Sequence, residues 1–260
     1  MRPRRIAGLT AAVLALAGGI ALLTGEVPRW TGGGARMVLS ERLPEPPARP
    51  IALPGAGTIL FVGDSNTAGS RTGGASTAYP AAFAEAIGAP SRVEVHAFGG
   101  ATVADLLHRP LPKAAIAVAF VMLGTNDAAT RGWLSDKQRV PVDTYSDNLA
   151  TLVRHLREAG ARVVMLAPPP VGSAAMARRL APYRIAAFEV AKATSSDFRD
   201  PVAAFLPNPQ EPYLQYDALH LTPEAQRALG LWLAGQTTSA SDTGSSSTGK
   251  PRPPSASQPS

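Results

Sequence analysis

The chain has no cysteine. That absence excludes a disulfide framework, a thiol nucleophile and thiolate metal ligation, so any folded domain must rest on its apolar core. No internal repeat recurs along the sequence, which argues against a stacked repeat architecture. His96, His108 and His155 have no partner ligands at metal spacing, so no metal and no other cofactor is expected. Surplus charge is also missing from the middle of the chain. The formal net charge is +6 over 260 residues, yet residues 51–235 hold sixteen basic and fifteen acidic side chains. A domain that close to neutral offers no bulk electrostatic footprint for phosphate backbones, and nucleic acid is not an expected partner.

The basicity belongs to the N-terminal flank, where residues 1–50 carry seven Arg against three acids. Met1-Arg2-Pro3-Arg4-Arg5 is positive, and the 19 residues from Ile6 to Thr24 carry no charge. Such a run is long for the apolar part of a signal peptide and just long enough to cross a bilayer. Ala15-Leu16-Ala17 supplies a small-x-small cleavage pattern, but the apolar run continues through Ile20-Ala21-Leu22-Leu23, which favours an uncleaved anchor. Either reading of residues 1–25 puts the remainder of the chain outside the cytoplasm, and the leading arginines favour an N-in orientation. Residues 26–57, with Gly32-Gly33-Gly34 and Pro44, Pro46, Pro47 and Pro50, read as a tether. Residues 236–260 read as a disordered Ser/Thr/Pro-rich tail. That leaves 58–235 for one globular domain, long enough for a full α/β core.

Within that domain apolar runs alternate with helical patterns. Thr58 to Val62 is a short apolar run ended by Gly63, the pattern of a buried parallel strand. Residues 78–87 are Ala-rich and helical. Val93 to Phe98 reads as a second strand and residues 101–108 as a short helix. Ala115 to Leu123 is the most apolar run and the expected central strand. Residues 143–159 show the clearest helical period, with Tyr145, Leu149, Leu152, Val153 and Leu156 on one face, Asp143 as a cap and Gly160 as a stop. Arg162 to Leu166 is the next strand. Residues 174–193 are helical, with Pro182 expected to kink or split them. A last short strand falls within 196–206, and Thr222 with Pro223 opens a final helix. This alternation predicts a mostly parallel sheet with helices on both faces.

Three short motifs fall beyond the carboxyl ends of those strands or in the loop before the last helix, the rim where such sheets bind ligands. Gly63-Asp64-Ser65 offers a hydroxyl nucleophile. Gly124-Thr125-Asn126-Asp127 offers a side-chain amide. Asp217-Ala218-Leu219-His220 offers a carboxylate and an imidazole three residues apart. Nucleophile, oxyanion donor, general base and a group that orients the base are the parts of a serine hydrolase. Each motif has a bland counterpart. Ser65 could cap a helix, a lone His is commonly structural, and Asp64 and Asp127 suit loop hydrogen bonding better than chemistry. No Gly-x-Ser-x-Gly surrounds Ser65, which argues against an α/β-hydrolase elbow.

On these blocks the chain resembles the SGNH hydrolases, also called the GDSL esterase/lipase family, over about residues 58–235. The resemblance implies a flavodoxin-like three-layer α/β/α sandwich with a shallow, exposed site. It assigns Ser65 as nucleophile, Asp217 and His220 as its catalytic partners, and the amides of Ser65 and Gly100 with the Asn126 side chain as the oxyanion hole. Gly100 stands in Phe98-Gly99-Gly100-Ala101-Thr102, where the family's second block usually has an Asn shortly before its Gly, and this chain has Val95 and His96 instead. The residue after the nucleophile is Asn66 where Leu is usual. The implied activity is carboxylic-ester hydrolysis through a covalent acyl-enzyme on a small-molecule or glycan ester. An O-acetyl esterase or O-acetyltransferase of envelope polysaccharide would use the same residues, and a non-catalytic binding module on the same fold is the reading from a different class. Trp133 and Tyr213 are candidates to line an acyl or sugar pocket.

Overall fold

The computed structural model describes residues 34–39, 42–44, 50–89, 92–129 and 138–239. The expected anchor at 6–24, Trp133 and the chain beyond 239 lie outside the described residues. Among the described residues no helix is long and apolar enough to cross a membrane.

Five parallel strands form the main sheet: β2 (Thr58–Gly63), β3 (Val93–Ala97), β4 (Ile116–Met122), β5 (Arg162–Leu166) and β6 (Asp197–Arg199), in the order β3-β2-β4-β5-β6. The most apolar run is thus the central strand. Among the described residues seven α-helices accompany them, five between the strands and two after β6: α1 (Tyr79–Ala86), α2 (Val103–Leu107), α3 (Thr125–Ala128), α4 (Val142–Glu158), α5 (Ala174–Ala193), α6 (Val202–Phe205) and α7 (Pro223–Ala234). Successive side chains on a strand face opposite sides, so the sheet has two cores. Leu60, Val62, Ala119, Val121, Val163 and Met165 pack with α2, α4 and α5. Ile59, Phe61, Val118, Phe120, Val164 and Leu166 pack with α1, α6 and α7. The three-layer sandwich therefore follows from continuous apolar strands that must be covered on both faces.

Phe61 is the hub of the second core. Its ring stacks on Phe120 at 4.9 Å and meets Phe83 and Tyr79 edge-on at 5.2 and 5.4 Å. Deleting such a fully buried ring costs about 3–5 kcal/mol. Polar buried groups lock the rim. Arg184 of α5 and Asp200 after β6, 2% and 0% exposed, form an ion pair in which Arg184 Nη2 donates to both carboxylate oxygens at 2.7 and 2.9 Å. Arg184 also donates to the Pro168 carbonyl after β5, and Asp200 accepts from the amides of Val202 and Leu43.

Four local expectations need correction. Asp143 does not cap α4: the N-cap position is Pro141, without a side-chain bond. Pro182 does not split α5, which runs unbroken for 20 residues from an N-cap at Ser173. A single Pro removes one backbone donor, and burial of Leu180, Tyr183, Arg184, Ala186 and Ala187 on both sides of it outweighs that loss. The tether reading of 26–57 fails for its described part. Ala35 bridges Leu214, the Val38 amide donates to Val171, Met37 is buried, and β1 (Ile51–Leu53) pairs with β7 (Thr237–Ser239) in a small second sheet. The same pairing brings 237–239, read as the start of the tail, into the fold. A few apolar residues spaced among prolines and glycines carry too little periodicity to reveal such edge contacts in advance.

Candidate active site

Each motif sits where a tight local geometry holds it. Gly63 ends β2, and a Cβ there would collide with the Thr67 hydroxyl. After a bend at Asp64, residues 65–73 run as consecutive turns, not as a helix capped by Ser65. Asp64, almost fully buried, accepts the Asn66 amide on Oδ1 at 3.0 Å, an Asx-type bond that shapes the turn around Ser65. Gly124 adopts φ 126°, and a side chain there would press on Pro168 and the Tyr145 hydroxyl. That turn starts α3 directly after the central strand and puts Asn126 on its first turn. Gly100, with φ 79°, lies in the turn before α2, which Thr102 and Asp105 cap reciprocally.

Asp217 and His220 share the loop before α7. Asp217 Oδ2 lies 2.7 Å from His220 Nδ1, and Asp217 Oδ1 accepts the amides of Leu219 and His220, each at 3.0 Å. The carboxylate thus turns its own loop and grips the ring. Partial burial alone would raise the Asp217 pKa, but the His220 amide and ring and the Leu219 amide outweigh it and hold the carboxyl below the usual range. Asp217 is therefore ionised at neutral pH. With Nδ1 so engaged, His220 has Nε2 left for a reacting proton.

The other expected residues are joined to this pair through their neighbours. Asn126 Nδ2 donates to the Ala101 carbonyl at 3.0 Å, beside Gly100, and to Asp64 Oδ2 at 3.4 Å, beside Ser65. The Asn66 side chain bonds to Leu219 and Leu221, on either side of His220. Ser65, Gly100, Asn126, Asp217 and His220 thus gather at the carboxyl end of the sheet, from four segments far apart in sequence.

Two rim residues had no signal in the sequence. Arg71 adopts φ 65°, donates to the Tyr216 hydroxyl at 2.8 Å and lies 3.4 Å from Asp217 Oδ2. Tyr216 is 76% exposed, so among the described residues it is the rim aromatic open to solvent. Tyr213, a candidate pocket residue, is instead buried and packs on Phe205 with ring centroids 5.1 Å apart. Beneath the site, fully buried Asp127 accepts the Val103 amide on Oδ1, and its Oδ2 has no partner. Burial pushes its pKa up to about 7, with Asp64 and Asp105 adding repulsion against the opposing bonds from backbone amides.

A solved acetylxylan esterase, Axe2 of Geobacillus stearothermophilus, superposes with a TM-score of 0.56 over 70% of this chain and 96% of that one, at 23% identity. At that identity the likeness speaks to the fold. A lipase/acylhydrolase of Enterococcus faecalis is similar at a TM-score of 0.55 and 25% identity, over 69% of this chain and 94% of that one. In sequence, a GDSL esterase/lipase of Arabidopsis thaliana is 38% identical over 125 residues, which is 45% of this chain and 50% of that relative. The isoamyl acetate-hydrolyzing esterase 1 homolog of Mus musculus is 29% identical over 130 residues, 43% and 51% of the two chains. The chain thus spans about half the length of the curated relatives it matches. The GDSL-like lipase/acylhydrolase family model matches residues 61–228, a span that contains every motif described above. The chain belongs to the GDSL-like lipase/acylhydrolase family.

Proposed function

We propose that this protein is a serine ester hydrolase that works through a covalent acyl-enzyme. The observation that carries the reading is the 2.7 Å contact from Asp217 to His220, with His220 tied through Asn66 to the loop of Ser65. In this reading Ser65 Oγ attacks the acyl carbonyl while His220 Nε2 takes its proton. Asp217, already ionised, keeps the imidazole in the tautomer with Nδ1 protonated and stabilises the imidazolium that forms. The amides of Ser65 and Gly100 and the Asn126 side chain receive the oxyanion. One Nδ2 hydrogen of Asn126 is held by Ala101, and the other, only weakly engaged at 3.4 Å by Asp64, is the one to turn toward the oxyanion. One such donor contributes about 3–4 kcal/mol to the transition state. Collapse expels the alkoxide, which takes the proton from His220, and water then releases the acid by the same steps reversed.

The acceptor in the second step separates two forms of this chemistry. Water makes the protein an esterase, and a glycan hydroxyl makes it an O-acetyltransferase of envelope polysaccharide. Intact catalytic residues argue against a binding module without activity. The acetylxylan esterase of like fold motivates acetylated sugars as test substrates. The location we propose is extracytoplasmic, from the basic residues 2, 4 and 5 followed by the uncharged run 6–24. Membrane fractionation and mass spectrometry of the native N-terminus test it and tell anchor from cleaved signal.

The test of the activity is a panel of p-nitrophenyl esters from acetate to palmitate, run beside acetylated xylooligosaccharides with product analysis. Ser65→Ala should lose several orders of magnitude in kcat/KM while keeping the circular dichroism of the wild type. An active Ser65→Ala variant would rule out the serine mechanism.

A further inference from the structure

Asn66, next to the nucleophile, stands where the family usually has Leu, and its amide does what a Leu cannot. We propose that Asn66 is a positioning residue that sets His220 in register with Ser65; the inference rests on the serine-hydrolase reading above. It follows from a full account of the backbone polar groups around the imidazole. The amides of Leu219 and His220 both go to Asp217 Oδ1. The His220 carbonyl accepts the Gln215 amide at 2.8 Å, and the Leu221 carbonyl accepts Gln215 Nε2 at 3.0 Å. Those four bonds come from residues 215–217, so they fix His220 only against its own loop. The remaining two groups, the Leu219 carbonyl and the Leu221 amide, go to Asn66: Nδ2 donates to the first at 3.5 Å and Oδ1 accepts the second at 2.9 Å. The side-chain amide pairs with the chain on both sides of His220, as a neighbouring strand would.

Asn66 is itself immobilised. It is 1% exposed. Its amide donates to Asp64, and its carbonyl accepts Gln226 Nε2 of α7 at 2.9 Å. Gln226, fully buried, in turn accepts the Tyr79 amide at the start of α1 at 2.8 Å. One rigid unit therefore runs from two helices through the residue adjacent to Ser65 to the two neighbours of His220. Arg71 also links the loops, through its carbonyl to Gln215 and its guanidinium to Tyr216 and Asp217, but six residues from Ser65 and with a half-exposed side chain. Gln226 and Asn66 together are the buried route.

The experiment is steady-state kinetics on p-nitrophenyl acetate with Asn66→Ala, Asn66→Leu and Asn66→Asp, each also placed on a His220→Ala background. A base displaced by about 1 Å loses on the order of 100-fold in rate. We expect kcat to fall roughly 30- to 100-fold in Asn66→Ala and Asn66→Leu, with KM within about threefold. Asn66→Asp keeps the acceptor for the Leu221 amide and should recover most of the loss. On the His220→Ala background, Asn66→Ala should cost less than about twofold more, because its effect passes through the imidazole. Wild-type kcat in Asn66→Ala and Asn66→Leu would overturn the proposal. So would losses that multiply on the His220→Ala background, which mark a general loosening of the fold. If Asn66→Ala does not fold, Asn66→Asp decides by the same two readouts, now expecting a kcat loss of about threefold to tenfold that vanishes without His220. Ser65→Ala is the separate control: activity retained there removes the hydrolase mechanism, whereas activity retained only in the Asn66 variants removes Asn66 from it.

Discussion

Asp127→Asn should remove the pH dependence that one buried carboxyl imposes on stability. Asp127 is fully buried beside Asn126, and burial pushes its pKa from 3.8 to about 7. Between those values the folded protein binds a proton that the unfolded chain has released. Stability therefore falls as pH rises through this window, and levels off above about 7. Each unit of separation corresponds to about 1.4 kcal/mol. By pH 5 roughly one unit of the gap has opened, and by pH 8 all of it, roughly three units. The cost added between pH 5 and 8 is thus about 3 kcal/mol. Asn keeps the acceptor for the Val103 amide, now at 3.3 Å, and cannot titrate. Urea unfolding of wild type and variant at pH 5, 6, 7 and 8 measures the difference directly, because other groups titrate alike in both. The variant should gain about 3 kcal/mol relative to wild type across that range. Parallel curves would mean that Asp127 does not titrate there, and the account of a protonated carboxyl under the site would be refuted.

Three further outcomes are expected. Asp217→Asn should lower kcat/KM by roughly 10- to 10⁴-fold and His220→Ala nearly abolish it, while the double variant should do little more than His220→Ala alone, because in the proposed mechanism the carboxylate acts through the imidazole. Multiplying losses in that double variant would show two independent residues. Arg184→Met should cost about 3–5 kcal/mol in chemical denaturation, because it breaks a buried ion pair by removing one of its members; a loss under about 1 kcal/mol would count against that pair as a rim lock. Relative to a chain beginning at Gly34, deletion of residues 1–50 should lose about 2 kcal/mol or more, since it exposes the site of buried Met37 and unpairs Val171 and Leu214. Equal melting temperatures for the two truncations would return residues 34–50 to the role of a passive tether.

The sequence by itself determined the layer architecture and the identity of the gathered side chains. Runs such as Ile59–Val62 and Val118–Met122 are apolar on both faces, and only a sheet covered on both sides hides them. The motif residues could be read as well, because Ser65 and Asn126 follow strand ends and because Asp217 and His220 form a local pair whose bonding needs only the turn between them. Tertiary structure decided everything that depends on contacts across the rim. The strand pairing of 51–53 with 237–239 joins segments nearly two hundred residues apart. The burial of Tyr213 beside the exposure of Tyr216 turns on which of two nearby aromatics faces Phe205. The pKa of Asp127 is raised by burial and by Asp64 after β2 and Asp105 of α2, which only the closed fold brings around it. Asn66 is the plainest case: as a sequence position it is a departure from Leu, and its hydrogen bonds reach residues more than 150 positions away. Local pattern encodes which face of an element is apolar, but a polar side chain acquires its partner only when the whole chain has closed around it.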